Sequence, residues 1–204
     1  MNISYILIVN MNLVERNILL RYIARFMVNV FLHSYGIRRN IALSILLLKE
    51  NGVYMLKLLG SKLRGLYPDD KSSYGLLRKM LSVLRENSRR LEGRYGIMLK
   101  IYRNIDDPLE DLVGKPWMKV FIVIREDRQI IKLSYLTKQL KLNVKNNEKL
   151  AFIISANVEP EVLFEKLREI GISFNTLKIG VIPFWHIPTI LNWLLDVGEE
   201  YDRL

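Results

Sequence analysis

The chain has 204 residues, a little over one average domain, and is 50% hydrophobic and 25% charged, the mix of a folded chain with a core rather than a disordered one. Thirty-one Lys and Arg against 21 Asp and Glu give a formal net charge of +10, which points to an anionic partner. The absence of cysteine excludes a disulfide framework and a zinc finger, and two histidines, His33 and His186, are too few for a histidine-based metal site.

In chain order, MNISYILIVN carries no basic flank and no small-residue cleavage site, so it reads as a strand over 3–9 rather than a signal peptide. From Leu13 to about Phe31 a long helix is predicted. Asn17, Arg21, Arg25, Asn29 and His33 recur every four residues among apolar neighbours, a narrow wet stripe that implies cover on most sides. Two apolar segments at 41–48 and 53–59 flank KENG, which punctuates like a hairpin turn. The longest aliphatic run, IALSILLL, is far short of the roughly 20 residues a membrane span needs, so a soluble, cytoplasmic protein is expected.

Residues 72–91 place Leu76, Leu77, Met80, Leu81 and Leu84 on one side of a helix and Arg78, Lys79, Arg85, Arg89 and Arg90 away from it. A strand at 96–101 follows, then a polar connection through Asp106, Asp107 and Pro108, and strands at 118–124 and about 129–134. Leu150–Ile154 is a strand, 160–170 a helix with Pro160 in its first turn, Ser173–Ile179 a strand, and a last helix runs from Ile187 to near Gly198. This alternation predicts one α/β domain over 1–204, a mainly parallel sheet covered by helices on both faces.

Neither a phosphate loop nor a dinucleotide fingerprint is present, and no nucleophile elbow offers a covalent agent. Two local patterns go further. In GIRRN at 36–40 and LKLLGSKLRGLYPDDKSS at 56–73, the cations Arg38, Arg39, Lys57, Lys62, Arg64 and Lys71 sit among turn formers, and Arg holds phosphate through two parallel hydrogen bonds. An RNA backbone clamp and a solvated loop whose aspartates cap the next helix both satisfy this pattern. The second is the run FIISANVE, helix, strand, LKIGVIPFWHIP, in which two loops leave the carboxyl ends of neighbouring parallel strands, where open α/β sheets bind ligands.

At these residues the chain resembles the SPOUT class of methyltransferases, and within it the TrmY family of archaeal tRNA pseudouridine N1-methyltransferases. NILLRYIARFMVNVFLHSYGIRRN is similar to that family's helix ending in an arginine pair, here Arg38 and Arg39. Gly60, Ser61, Leu63, Pro68, Asp69 and Ser72 coincide with its Gly-Ser-x-Leu…Pro-Asp…Ser motif, and LKIGVIPFWHIPTILNWLLD follows its last strand, loop and helix, with His186 and Thr189 on matching positions. The resemblance implies a deep C-terminal trefoil knot over about 130–204, a homodimer packed through knot helices, S-adenosyl-L-methionine in the knot, and methyl transfer to N1 of pseudouridine in the tRNA T-loop.

By the same resemblance the cofactor pocket would involve Leu133, Ser155, Leu177, Lys178, Ile179, Gly180, Val181, Ile182 and Ile187. Arg38, Arg39, Lys62 and Arg64 would hold RNA. Asp69 and Arg39 are the candidate catalytic pair, Asp69 positioning or deprotonating the base or else capping the helix that follows. Where the family's first knot loop has two glycines, this chain has Ser155 and Glu159, and a family cysteine is Ile187. These departures leave a second reading, an RNA-binding relative with a degenerate cofactor site, beside a ribosomal-RNA (Nep-type) methyltransferase and a scaffold whose charge serves solubility.

Overall fold

Near-continuous runs of Ile, Leu and Val form strands buried on both sides, as parallel strands under two helical layers must be. The computed structural model describes residues 3–12, 18–33, 36–86, 96–125, 140, 149–180 and 182–201. Its strands are β1 (Ile3–Asn10), β2 (Leu32–His33), β3 (Gly36–Ile37), β4 (Ile41–Lys49), β5 (Gly52–Leu59), β6 (Ile97–Tyr102), β7 (Met118–Arg125), β8 (Lys149–Ser155) and β9 (Asn175–Ile179). The helices are α1 (Ile18–Phe31), α2 (Asp70–Arg85), α3 (Asp106–Val113), α4 (Pro160–Glu169) and α5 (Ile187–Tyr201), the last preceded by a single tight turn at Phe184–His186.

Seven strands form one mixed, mostly parallel sheet in the order β6-β5-β4-β1-β8-β7-β9. β4, β1, β8, β7 and β9 are parallel, while β5 and β6 extend the sheet antiparallel. The KENG turn closes the β4–β5 hairpin, with Lys49 opposite Gly52. Alternation along the strands divides the core. Tyr5, Leu7 and Val9 of β1 pack with Phe26, Met27 and Phe31 of α1, Leu77 and Met80 of α2, and Leu191 of α5. Ile6 and Ile8 face the other way, against Leu109 and Leu112 of α3 and Leu163 and Leu167 of α4.

The chain visits β7 before β8, yet β8 lies between β1 and β7, and β9 lies beyond β7. The step from β7 to β8 and the step from β8 to β9 therefore run in opposite directions. Right-handed crossovers then require the two connections on opposite faces. So they are: α4 belongs to the second-face core, while Leu140, on the β7–β8 connection, is buried in the first-face core.

Two expectations change. The connection through Asp106, Asp107 and Pro108 is the helix α3: two acidic residues and a proline in its first turn, with Leu109, Leu112 and Val113 at helical spacing, make a short amphipathic helix. The basic helix begins at Asp70 and ends at Arg85, so Arg89 and Arg90 lie outside the described residues, as do the strand expected at 129–134 and the first residues of the long helix, 13–17. Among the described residues no helix is long and apolar enough to cross a membrane.

Candidate functional site at two edges of the sheet

The parallel strands give the sheet a carboxyl edge and an amino edge, and the candidate residues fall on both. At the carboxyl edge, β8 ends in Ser155 and β9 in Ile179, on either side of Arg125, the last residue of β7 and the register partner of Ile179. The Ser155 hydroxyl donates to the Val158 carbonyl at 2.5 Å and accepts from the Val158 N–H at 2.7 Å, closing a tight turn without glycine. This loop is pinned to the sheet on both flanks: Ala156 N–H donates to Ile8 O at 3.1 Å, Asn10 N–H to Asn157 Oδ1 at 3.0 Å, and the Arg125 guanidinium to Ala156 O at 3.3 Å.

Beyond β9, Ile182 N–H donates to Gly180 O at 2.7 Å, and Asn29 Nδ2 of α1 donates to Trp185 O at 2.6 Å, which anchors the segment leading into α5. Trp185 stacks on Tyr22 with centroids 4.1 Å apart. Of the residues assigned to the cofactor, Leu177, Ile179 and Ile187 are buried in the first-face core, Lys178 is exposed, and Ser155, Gly180 and Ile182 border the loops. Leu133 and Val181 lie outside the described residues. His186 is exposed on the turn before α5.

At the amino edge lie the arginine pair and the segment that follows β5. Ile3 N–H donates to Asn40 O and Gly60 N–H to Ile41 O, so the ends of β1, β4 and β5 converge here. Gly60 permits this convergence: a Cβ at that position would lie 2.1 Å from Arg38 O and 2.8 Å from Ile41 O. Arg38 grips Asp196 of α5 with both guanidinium nitrogens, at 2.9 and 2.5 Å, and its side chain is only 14% exposed against 43% for Asp196. Arg39 Nη1 donates to the carbonyls of Gly60, Ser61 and Leu63 at 3.2–3.5 Å, shaping the segment that presents the exposed Lys62 and Arg64.

Asp69 is the N-cap of α2. Its carboxylate accepts from Ser72 N at 2.7 Å and Ser72 Oγ at 2.6 Å, and these bonds hold its pKa below the ordinary carboxylate value. A carboxylate stabilised in this way is a weaker base, so capping describes its state better than proton abstraction. Lys57 is not in the cationic loop; it sits on β5 on the same side as Met55, and burial, then Lys100, lowers its amine pKa.

Between α1, β3, α5 and residues 66–68 lies an open groove of about 690 Å³. Its walls carry Tyr67 and Trp193, 61% and 47% exposed, and the Arg38–Asp196 pair lines it. Below it Tyr5 Oη donates to Asn192 Oδ1 at 2.8 Å, and Asn192 Nδ2 donates to the carbonyls of Asn29 and Val30 at 3.2 and 3.3 Å. Asn192 therefore satisfies C-terminal carbonyls of α1, and Arg38 N–H does the same for Phe31 O at 2.7 Å. Full burial pushes the Tyr5 phenol far above its ordinary pKa. Tyr67, Trp193, Asn192 and Asp196 escaped the sequence reading; the available signal was a polar pair four residues apart, Asn192 and Asp196, in an otherwise apolar helix.

Fold and site together define an α/β protein with a mostly parallel mixed sheet, a loop-built carboxyl edge and a cationic amino edge. Comparison with known protein families returns no match, and comparison with curated proteins returns none either.

Proposed function

We propose that the protein is an S-adenosyl-L-methionine-dependent RNA methyltransferase of SPOUT type, acting as a homodimer on N1 of pseudouridine in the tRNA T-loop. The observation that carries this reading is the pairing of two carboxyl-edge loops, the one after Ser155 and the one after Ile179, which leave strands on either side of β7 and not adjacent strands as the sequence suggested, with a cationic segment at the opposite edge. The residues at the first edge suit the cofactor. Arg125 offers a positive charge for a carboxylate, Ser155 and Gly180 keep the two loops small at their start, and Ile182 and Ala156 bring apolar side chains to them. When bound, S-adenosyl-L-methionine supplies an electrophilic methyl group.

The eight residues of β1 span about 25 Å, so the two edges of one copy are far too distant for a reaction whose partners must approach to about 3–3.5 Å. A second copy, presenting its amino edge to the carboxyl edge of the first, completes the site; this is the physical argument for the homodimer. Lys62 and Arg64 hold phosphates, Arg39 keeps their segment in shape, and Arg38 braces it against α5. The acceptor nitrogen needs alignment more than a strong base. The trefoil knot belongs to this reading through the family resemblance alone; the opposite-face crossovers around β8 are compatible with it.

A second reading, RNA binding without methyl transfer, is favoured by one observation: Ser155 engages both the N–H and the carbonyl of Val158, backbone groups that a ligand in this loop would otherwise use. Calorimetric titration with S-adenosyl-L-methionine decides. Micromolar binding with a rise in melting temperature supports the methyltransferase, and methylation of pseudouridine-containing tRNA completes the test. No heat and no shift removes the enzyme and leaves the binding protein.

A further inference from the structure

We infer that the groove between α1, α5 and residues 66–68 is a binding site for an unpaired RNA nucleobase, which stacks on Tyr67 and Trp193. The inference rests on the RNA-binding reading above and adds to it the place where a base, as distinct from a phosphate, is held. Two large aromatic side chains are left exposed on the walls of one groove, although burying either against protein would be favourable. Every base has a π face, so aromatic stacking is the general means of holding single-stranded RNA.

The floor suits the edge of a base. Asp196 is turned by Arg38 so that its half-exposed carboxylate borders the groove, an acceptor for a base N–H, and the exposed Thr189 lines the groove two turns earlier on the same helix. Val28, Leu32, Ile37 and Leu66 give the lining the apolar surface that a stacked ring requires, beside the amides of Asn29 and Asn192. The surroundings suit the rest of the nucleotide: Lys62 and Arg64 are exposed on the segment leading into Leu66 and Tyr67, and Lys71 follows them. A strand of RNA whose phosphates follow these cations passes the mouth of the groove. At about 690 Å³ the space accepts a nucleoside with room for water.

The test compares the binding of a fluorescent oligouridylate with that of an abasic oligomer of the same backbone and length. Wild-type protein is expected to bind oligouridylate more tightly than the abasic backbone. Tyr67→Ala and Trp193→Ala are each expected to lose about tenfold in oligouridylate affinity while leaving abasic binding unchanged, with Trp193→Phe restoring most of the loss. Aromatic variants that bind oligouridylate as wild type does overturn the inference. Equal binding of both oligomers by wild-type protein overturns it too, while RNA binding through the backbone stands. Failure to bind either oligomer removes the RNA reading and the groove with it. If sedimentation shows that the aromatic variants separate a dimer without touching RNA affinity, the groove is an interface between protein copies and the inference falls.

Discussion

The two edges of the sheet hold their loops by different means. At the carboxyl edge, mainly backbone groups and short side chains pin the loop 155–159: an N–H to Ile8 O, an asparagine to Asn10 N–H, a serine closing its own turn, with one arginine, Arg125, on Ala156 O. At the amino edge, long charged side chains carry the load, with Arg38 forked onto Asp196 and Arg39 spread over three carbonyls. Ser155 closes its own turn with its hydroxyl, which is why a loop without glycine still turns after β8. At the amino edge an arginine that looks like a ligand for phosphate is first a brace for the protein.

The difference is sharpest at Arg38. Its removal leaves Asp196 beside the groove without its fork and frees α5 from the segment after β3, at an expected cost of about 2–3 kcal/mol, given that the carboxylate keeps partial access to water. In a chain of this size that lowers the melting temperature by roughly 5–10 °C. Arg38→Ala should show this fall by calorimetry, and Arg38→Lys should recover little, since an ammonium cannot reproduce the fork. An unchanged melting temperature would mean that the pair does not brace the edge.

Asn192→Ala is next, at about 2 kcal/mol, since the buried Tyr5 hydroxyl loses its acceptor and the α1 carbonyls lose a donor. Adding Tyr5→Phe should return part of that loss, because a buried phenol with no partner is worse than no phenol. Strictly additive losses would show that the two side chains are not coupled. Lys62→Ala with Arg64→Ala, by contrast, should leave the melting temperature unaltered and lower the salt-dependence slope of tRNA binding by about 1.8, two phosphate contacts in all. An unaltered slope would take these cations out of the RNA interface.

Strands and core helices were legible because periodicity and punctuation write them locally: the KENG hairpin, Pro160 at the start of α4 and the apolar face of α5 all stand where the pattern puts them. α3 was hidden because eight residues offer barely two turns of period, and its aspartates and proline read equally well as a loop. The arginine pair was visible, but its engagement was not. Arg38 and Asp196 lie 158 residues apart, and only the tertiary fold tells a cation bound within the protein from one offered to a ligand. The groove was illegible for the same reason: Tyr67 and Trp193 come from a loop and a helix that meet only in the folded chain.

Asp69 gives the smallest effect and the finest distinction between cap and base. Its pKa is lowered in the folded state by the Ser72 hydroxyl and N–H bonds, so its contribution is complete above the unfolded carboxylate pKa and is lost as pH falls through the lowered value. Wild-type protein should therefore lose melting temperature on acidification through and below the ordinary carboxylate range. Asp69→Asn retains a cap acceptor without a titrating group, so its profile should be shallower there, while at neutral pH it should melt close to wild type. Asp69→Ala should melt lower at neutral pH. If Asp69→Asn instead matches wild type across the acid range yet abolishes methyl transfer, the carboxylate acts on the substrate, and the amino edge contributes a base rather than a brace.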